Sequence, residues 1–166
     1  MQHQFKSISN SRKPLIAAIS GFALGIGCEI ALCCDVVLAT DNARFGLPEL
    51  SIGLLPCFGG CGLLVSRVGR AKAMDMILTG KAISADEAEK IGLISRVVTE
   101  SSMTEEYTKI AQRIALLPSN SVGLAKKTIN AYANPEGLQL ENLLSLCCIE
   151  SSEFKQTLLN FSNKKA

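Results

Sequence analysis

The sequence predicts an α/β fold, and four successive segments near its N-terminus support this prediction. Residues 14–20, PLIAAIS, form a continuous apolar run that predicts a strand buried on both faces. A glycine-rich turn follows, helical periodicity starts at about Cys28, and a second apolar run covers residues 36–39. Strand, turn, helix and strand within about 30 residues are typical of α/β packing.

The middle of the chain alternates loop signals with short elements. Residues 40–60 are punctuated by glycine, proline and Asp-Asn, and they predict loops that join short strands. Apolar residues have helical spacing over residues 63–68 and 71–78. Residues 84–87 form a capping-box pattern, and residues 97–98 predict a short strand. Gly92 is expected to be the C′ residue of the capped helix.

The last third of the chain predicts helices. After Met103 the apolar spacing is helical over residues 105–116, 122–133 and 138–161. The last of these would be a long amphipathic helix, which can cover the core of the α/β body or meet another subunit. Periodicity does not separate these two uses.

Composition and charge exclude several classes of protein. The 166 residues suffice for one domain, with 48% hydrophobic and 19% charged residues, which is typical of a soluble globular protein. A net charge of +2 with dispersed Lys and Arg predicts no nucleic-acid binding. No membrane span is expected, because Glu29 and Asp35 interrupt the best apolar run before it reaches about 18 residues.

Cysteine and histidine usage narrows the chemistry. The seven cysteines are odd in number and lie in apolar sequence, which predicts buried reduced thiols. No second pair of cysteines and no histidine lies near Cys57 and Cys61, so we expect no metal site. The single histidine, His3, lies in a polar terminus, so carboxylates are the remaining acid and base groups of an enzyme.

The stretch SGFALGIGCE, residues 20–29, suggests a site for an oxyanion. If the Gly25-Ile26-Gly27 turn opens a helix, the N–H of Ile26 has no acceptor within the helix, and the helix dipole adds positive potential. A carbonyl oxygen that gains charge is stabilised by such a donor. Glu29 lies within about one turn of it.

A second carboxylate follows in a loop. Glu49 stands after Pro48 in FGLPEL, and two carboxylates near one oxyanion donor could divide the roles of acid and base. A structural interpretation is also open. Glu29 could merely compensate the helix dipole, Glu49 could be an exposed side chain, and the glycines could serve tight packing.

These residues resemble a known family. The segment KPLIAAISGFALGIGCEIALCCDVVLATDNARFGLPELSIGLLP is similar to the enoyl-CoA hydratase/isomerase, or crotonase, family. The match continues through GGCGLLVSRVGRAKAMDMILTGKAISADEAEKIGLISRVV and the helical tail with EGLQLE and FKQTLLNF. The resemblance implies a crotonase-like spiral of ββα units followed by an α-helical oligomerisation region. We therefore expect a polar lead-in at 1–12, a partial crotonase core at 13–100 and the helical region at 101–166.

The resemblance also implies roles for individual residues. Ile26 would supply one of two backbone donors to the thioester oxygen, and Gly25 and Gly27 would support that turn. Glu29 would act mainly as the base on water, and Glu49 would protonate the α-carbon. The substrate-binding residues would include Leu24, Pro56 and Gly59.

Partners follow from the same resemblance. The substrate would be an acyl-CoA thioester, the assembly a homotrimer or hexamer, and no cofactor would be needed because the substrate carries coenzyme A. We expect a cytoplasmic protein, or a mitochondrial matrix protein if a targeting segment precedes this sequence.

Two departures from the family pattern stand out. Cys61-Gly62-Leu63-Leu64 replaces the usual T-Q-R-L, which leaves Arg67 further on. The sequence also begins where roughly the first third of family chains has ended, so we expect the early strands, the second oxyanion donor and much of the adenine pocket to be missing. Three functions stay open: hydration of an enoyl-CoA, double-bond isomerisation with Glu49 as proton shuttle, and a non-catalytic oligomerising remnant.

Overall fold

The structure is a computed structural model that describes residues 10–131, residue 8 and six residues between 150 and 160. The helix predicted over 138–161 falls largely outside the described residues, as do His3, Cys147 and Cys148. The elements follow in the order β1 (Ile16–Ile19), β2 (Phe22–Leu24), α1 (Ile26–Cys33), β3 (Val36–Thr40), β4 (Arg44–Gly46), a 3-10 turn (Glu49–Ile52), α2 (Gly60–Thr79), β5 (Ile83–Ser84), α3 (Ala85–Lys90), β6 (Arg96–Val98), α4 (Met103–Ala115) and α5 (Ser119–Ala131).

The strands of the described chain form two three-stranded sheets. In the first sheet, β3 lies between β1 and β6 and runs parallel to both. In the second sheet, β4 lies between β2 and β5, parallel to β2 and antiparallel to β5. The parallel pair of β2 and β4 brings the residues after each strand to the same edge of the sheet.

Burial distinguishes the two strands that were predicted from apolar runs. Val37, Leu38, Ala39 and Thr40 of β3 are buried one after another, as in a strand covered on both faces. The prediction of a doubly buried strand over 14–20 is wrong, because the residues of β1 are half-buried or exposed. Among the described strands, β1 lies at the edge of its sheet.

Helix α1 begins at Ile26, two residues before the predicted start. Gly25, with φ 55° and ψ −124°, already makes the sharp turn between β2 and the helix. The N–H of Glu29 donates to the carbonyl of Gly25 at 3.0 Å, which closes the first helical turn. Only glycine adopts such a backbone conformation without strain.

Helix α2 contributes buried residues to the core and is interrupted once. Gly69, with φ 77° and ψ 163°, breaks it into two helical segments, which match the two predicted stretches. Both segments contribute to one apolar cluster with residues of the strands and of the segment after α3. Its largest fully buried apolar members include Phe45, Leu47, Leu64, Met76 and Leu93.

The predicted capping box of α3 forms only in part. The Oγ atom of Ser84 accepts a hydrogen bond from the N–H of Glu87 at 3.2 Å, as predicted. The carboxylate of Glu87 does not reach back; it bonds Lys72 on α2 at 2.6 Å. This hydrogen bond lowers the pKa of Glu87 and raises that of Lys72. Gly92, with φ 78°, follows the helix as predicted.

The prediction that the cysteine thiols are buried is confirmed for three cysteines and wrong for others. Cys28, Cys33 and Cys34 are buried, as predicted. The prediction is wrong for Cys57, which is exposed, and Cys61 is only half-buried. Cys57 lies in the loop before α2, where the neighbouring Pro56, rather than the thiol, is buried.

The described chain divides into two compact units. One comprises Leu15–Ala111 with the described residues up to Ser11, and the other comprises Arg12–Pro14 with the described residues from Gln112 onward. In the second unit, the ammonium group of Lys126 donates to the carbonyl of Lys13 at 3.4 Å. Every helix among the described residues is too short or too polar to cross a lipid bilayer.

Replacing the cap of α3 tests this account of the fold. Ser84→Ala is expected to lower the free energy of unfolding by about 1 kcal/mol, because the N–H of Glu87 loses its acceptor. Denaturant unfolding followed by circular dichroism measures the change. Ser84→Asp keeps an acceptor oxygen, so its free energy of unfolding should remain close to that of the unsubstituted chain. An equal decrease in both variants would contradict the capping role.

Candidate active site

The site forms where β2 and β4 end. Leu24 pairs with Gly46 in the parallel ladder, and the N–H of Gly25 donates to the carbonyl of Gly46 at 2.9 Å. The turn into α1 and the loop that carries Glu49 therefore lie side by side. This is the position at which ligands bind in parallel sheets, outside the carboxyl ends of the strands.

Gly25 lets the carboxyl group of Glu49 approach the backbone. A Cβ atom placed on Gly25 would lie 3.3 Å from Oε1 of Glu49 and 3.7 Å from its Cδ. The positive φ requires glycine at this position, and a Cβ there would press on the carboxyl group of Glu49. Glu49 itself begins the 3-10 turn Glu49–Ile52, directly after Pro48.

The start of α1 offers unpaired N–H groups. The N–H of Glu29 is the first that bonds within the helix, so those of Ile26, Gly27 and Cys28 have no intrahelical acceptor. The side chain of Ile26 is 53% exposed, and a Cβ on Gly27 would meet nothing within 4 Å. This end of the helix is therefore open to a ligand and carries the positive end of the helix dipole.

Glu29 lies fully buried beneath this opening. Its Oε1 atom accepts hydrogen bonds from the N–H groups of Phe58 and Gly60, both at 2.9 Å. Gly60 is the first residue of α2, so the carboxyl group also caps that helix. The two bonds fix the orientation of the carboxyl group, and its Oε2 atom has no hydrogen-bond partner among the described residues.

Glu29 restricts Gly60 more tightly than Glu49 restricts Gly25. A Cβ on Gly60 would lie 2.7 Å from Oε1 and 2.9 Å from Cγ of Glu29, and 2.9 Å from Cβ of Pro56. Real Cβ atoms do not approach other heavy atoms so closely. A larger residue at this position would displace the carboxyl group or Pro56.

Glu49 presents both of its carboxyl oxygens without a partner. They are buried, and no described group donates to either of them, so with Oε2 of Glu29 they make three such oxygens. A buried polar atom without a partner costs about 1–3 kcal/mol in a folded protein. Such exceptions point to a group that the site is built to receive, such as water or a ligand.

Cys28 is buried on α1 and is not suited to act as a nucleophile. Burial raises the pKa of its thiol to about 12, a backbone hydrogen bond with Gly46 opposes the rise, and the charges of Glu49 and Glu29 add to it. The thiolate is the reactive form of cysteine, so this thiol is inert at neutral pH. Acyl transfer to Cys28 is therefore not among the reactions that the site supports.

Contacts connect half of the residues predicted for the site. Gly25 lies against the carboxyl group of Glu49, and its carbonyl accepts a hydrogen bond from the N–H of Glu29. Glu29 and Pro56 both lie against Gly60. The remaining predicted residues are placed as follows: Leu24 is partly exposed at the end of β2, Ile26 and Gly27 begin α1, and Gly59 is the exposed N-cap of α2.

The groups that hold the carboxyl group of Glu29 were not predicted from the sequence. They are the backbone N–H groups of Phe58 and Gly60. Cys28 was predicted only as a buried reduced thiol. The Gly59-Gly60 pair was a visible signal of close approach, but it did not show what approaches. The partner is 31 residues away and is brought there by the loop before α2.

Comparisons with known proteins agree with this geometry. A family model described as enoyl-CoA hydratase/isomerase matches residues 1–166. A "Probable enoyl-CoA hydratase" from Rhizobium meliloti is 41% identical over 164 residues, covering 97% of this chain and 64% of the relative. A "Short-chain-enoyl-CoA hydratase" from Clostridioides difficile is 42% identical over 155 residues, covering 92% of this chain and 99% of the relative.

A solved structure has the same fold. The crystal structure of enoyl-CoA hydratase from Bacillus anthracis gives a TM-score of 0.93 at 34% identity, covering 98% of this chain and 64% of that chain. This confirms the predicted crotonase-like α/β fold. The chain spans less than two thirds of the Rhizobium relative and of the Bacillus structure. With its whole sequence matched by the family model and its backbone matched by a solved hydratase, this chain belongs to the enoyl-CoA hydratase/isomerase family.

Proposed function

We propose that this chain adds water across the α,β-double bond of an enoyl-CoA thioester. The observation that carries the proposal is the set of three buried oxygens of Glu29 and Glu49 that have no hydrogen-bond partner among the described residues. They lie by the open start of α1, where the N–H of Ile26 has no intrahelical acceptor. Relatives named enoyl-CoA hydratase support the same class of reaction.

Glu29 is suited to act as the base on water. Its Oε1 atom is engaged by two backbone N–H groups, which leaves Oε2 to accept a proton. As the proton moves to Oε2, the water oxygen bonds to the β-carbon of the substrate. The π electrons of the double bond then shift toward the thioester carbonyl, whose oxygen gains negative charge.

Glu49 is suited to complete the addition. Its carboxyl group lies against the backbone of Gly25 and has two oxygens without partners. In the proton-bearing form it donates to the α-carbon, and the product is a 3-hydroxyacyl thioester that has gained one water molecule. The proton held by Glu29 returns to solvent and Glu49 is reprotonated, so the site is unchanged after each turnover.

The N–H of Ile26 is suited to hold the thioester oxygen. A pre-aligned donor at a developing oxyanion contributes about 10²- to 10³-fold to the rate. Because the donor is a backbone group, the isoleucine side chain does not interfere with it. The proposal needs no resident cofactor, since coenzyme A arrives with the substrate, and we propose a homotrimer or hexamer as the assembly.

Two other functions make different products. An isomerase that used Glu49 alone would shift the double bond without adding water. A non-catalytic remnant would assemble and leave the thioester unchanged. Analysis of the products from crotonyl-CoA and from a 3-enoyl-CoA, together with gel filtration, separates these functions from hydration.

Removal of either carboxylate should abolish most of the hydration. In Glu29→Gln and Glu49→Gln, kcat for crotonyl-CoA is expected to fall by about 10²- to 10⁴-fold, because each loses a proton-transfer group. Loss of the enoyl-thioester absorbance measures the rate. Glu105→Gln, which alters an exposed carboxylate paired with Lys109, is the matched control and should retain full activity. No turnover by the folded unsubstituted chain would contradict the proposal.

The glycines of α2 provide a second test of the role of Glu29. Gly60→Ala is expected to reduce kcat by about 10²-fold, because its Cβ displaces the carboxyl group from its place. Gly62→Ala, two residues further along the same helix, introduces a Cβ that meets nothing within 4 Å. It should leave the rate unchanged, and similar rates in the two variants would show that the position of Glu29 does not matter.

A further inference from the structure

Helix α1 carries the site but has few stabilising groups of its own. It is eight residues long, its N-cap Gly25 has no side chain to cap it, and its last turn contains no basic residue. Isolated helices of this length are unstable in water, so contacts from outside must hold α1 in place. Both Glu29 and the N–H of Ile26 depend on that placement.

Arg67 on α2 supplies the missing positive charge at the C-terminal end of α1. Its Nη2 atom donates to the carbonyl of Leu32 at 3.1 Å and to that of Cys34 at 2.6 Å. Leu32 and Cys34 are buried, so little water is available to replace these bonds. The guanidinium group therefore satisfies helix-end carbonyls and lies at the negative end of the helix dipole.

The same two helices also meet at the opposite end of α1. There the carboxyl group of Glu29 accepts the N–H of Gly60, the first residue of α2. Gly60 and Arg67 precede the break at Gly69, so both lie on one continuous helical segment, about 10 Å apart along its axis. A negative group of α1 thus binds the positive end of α2, and a positive group of α2 binds the negative end of α1.

We infer that Arg67 is a positioning residue, which holds α1 against α2 so that the carboxyl group of Glu29 stays on the N–H groups of Phe58 and Gly60. The effect of Arg67 on catalysis rests on the proposed hydration, whereas its effect on the position of Glu29 does not. Arg67 touches neither carboxyl group in the structure, and it acts through the backbone of α1. Arg70 on the same helix is exposed and forms no side-chain hydrogen bond or ion pair within the described chain, which makes it a matched control.

Amide hydrogen exchange of the full chain, resolved by residue, tests the inference without any need for activity. In Arg67→Gln, exchange at Glu29, Phe58 and Gly60 is expected to become about tenfold faster or more, because α1 opens locally. Amides of β3 and α3 should keep their rates. Arg67→Lys, which keeps a charged donor, should restore slow exchange in part, and Arg70→Gln should change nothing.

Two results would overturn the inference. The first is that the amide exchange rates around Glu29 are unchanged in Arg67→Gln. The second is that exchange becomes faster by the same factor in β3, α3 and α1, because this indicates a loss of general stability alone. If Arg67→Gln fails to fold, the comparison of Arg67→Lys with the unsubstituted chain decides, and unchanged exchange around Glu29 in that variant counts against the inference.

The kinetic readout connects the inference to the proposed hydration. Arg67→Gln should lower kcat for crotonyl-CoA by about 10- to 100-fold, with KM within about twofold, because the base is misplaced while substrate contacts remain. Arg67→Lys should recover part of that loss. If the unsubstituted chain shows no turnover, the proposed function fails and the exchange experiment still decides the role of Arg67.

Discussion

The site depends on the buried carboxyl group of Glu29 and its two backbone donors. Through them α1, the loop before α2 and the first residue of α2 meet at one point. A buried carboxyl group without hydrogen bonds is costly, so the loop has to present its N–H groups at this place. The absence of a side chain at Gly60 follows from the same contact, since a Cβ there would overlap the carboxyl group. The geometry of α1 and α2 is thereby coupled to the position of one acidic side chain.

The two carboxyl groups differ in their surroundings, and this difference supports the separate roles that we propose for them. Within the described chain, Glu29 has one oxygen fixed by backbone donors and one without a hydrogen-bond partner, whereas Glu49 has two buried oxygens without such partners. A carboxyl group held in one orientation is suited to take a proton from a water molecule in a defined position. The carboxyl group of Glu49 lies against the backbone of Gly25, and no described group donates a hydrogen bond that would fix its orientation. Burial raises the pKa of the Cys28 thiol to about 12, so Cys28 is a poor candidate for a competing nucleophile.

Local features of the site could be predicted from the sequence, and distant contacts could not. The glycine turn, the start of α1 within two residues and the cap of α3 depend on neighbours in the chain, so spacing and residue type were sufficient. The contact of Glu49 with Gly25 depends on the parallel pairing of β2 with β4, and the donors to Glu29 depend on the path of a loop 29 to 31 residues away. The exposure of Cys57 was mispredicted because apolar composition does not show which side chain of a loop enters the core. The fold as a whole was predicted from family resemblance, which carries the long-range pairing that periodicity lacks.

Isotope incorporation during turnover shows whether water is added at the double bond. The folded chain is incubated with crotonyl-CoA in water enriched in the heavy oxygen isotope, and the thioesters are analysed by mass spectrometry. We predict a 3-hydroxyacyl thioester with the heavy oxygen on the β-carbon and one solvent hydrogen on the α-carbon. Recovery of unlabelled thioester, either unchanged or with a shifted double bond, would contradict it, because no water would then have been added at the site formed by Glu29, Glu49 and the start of α1.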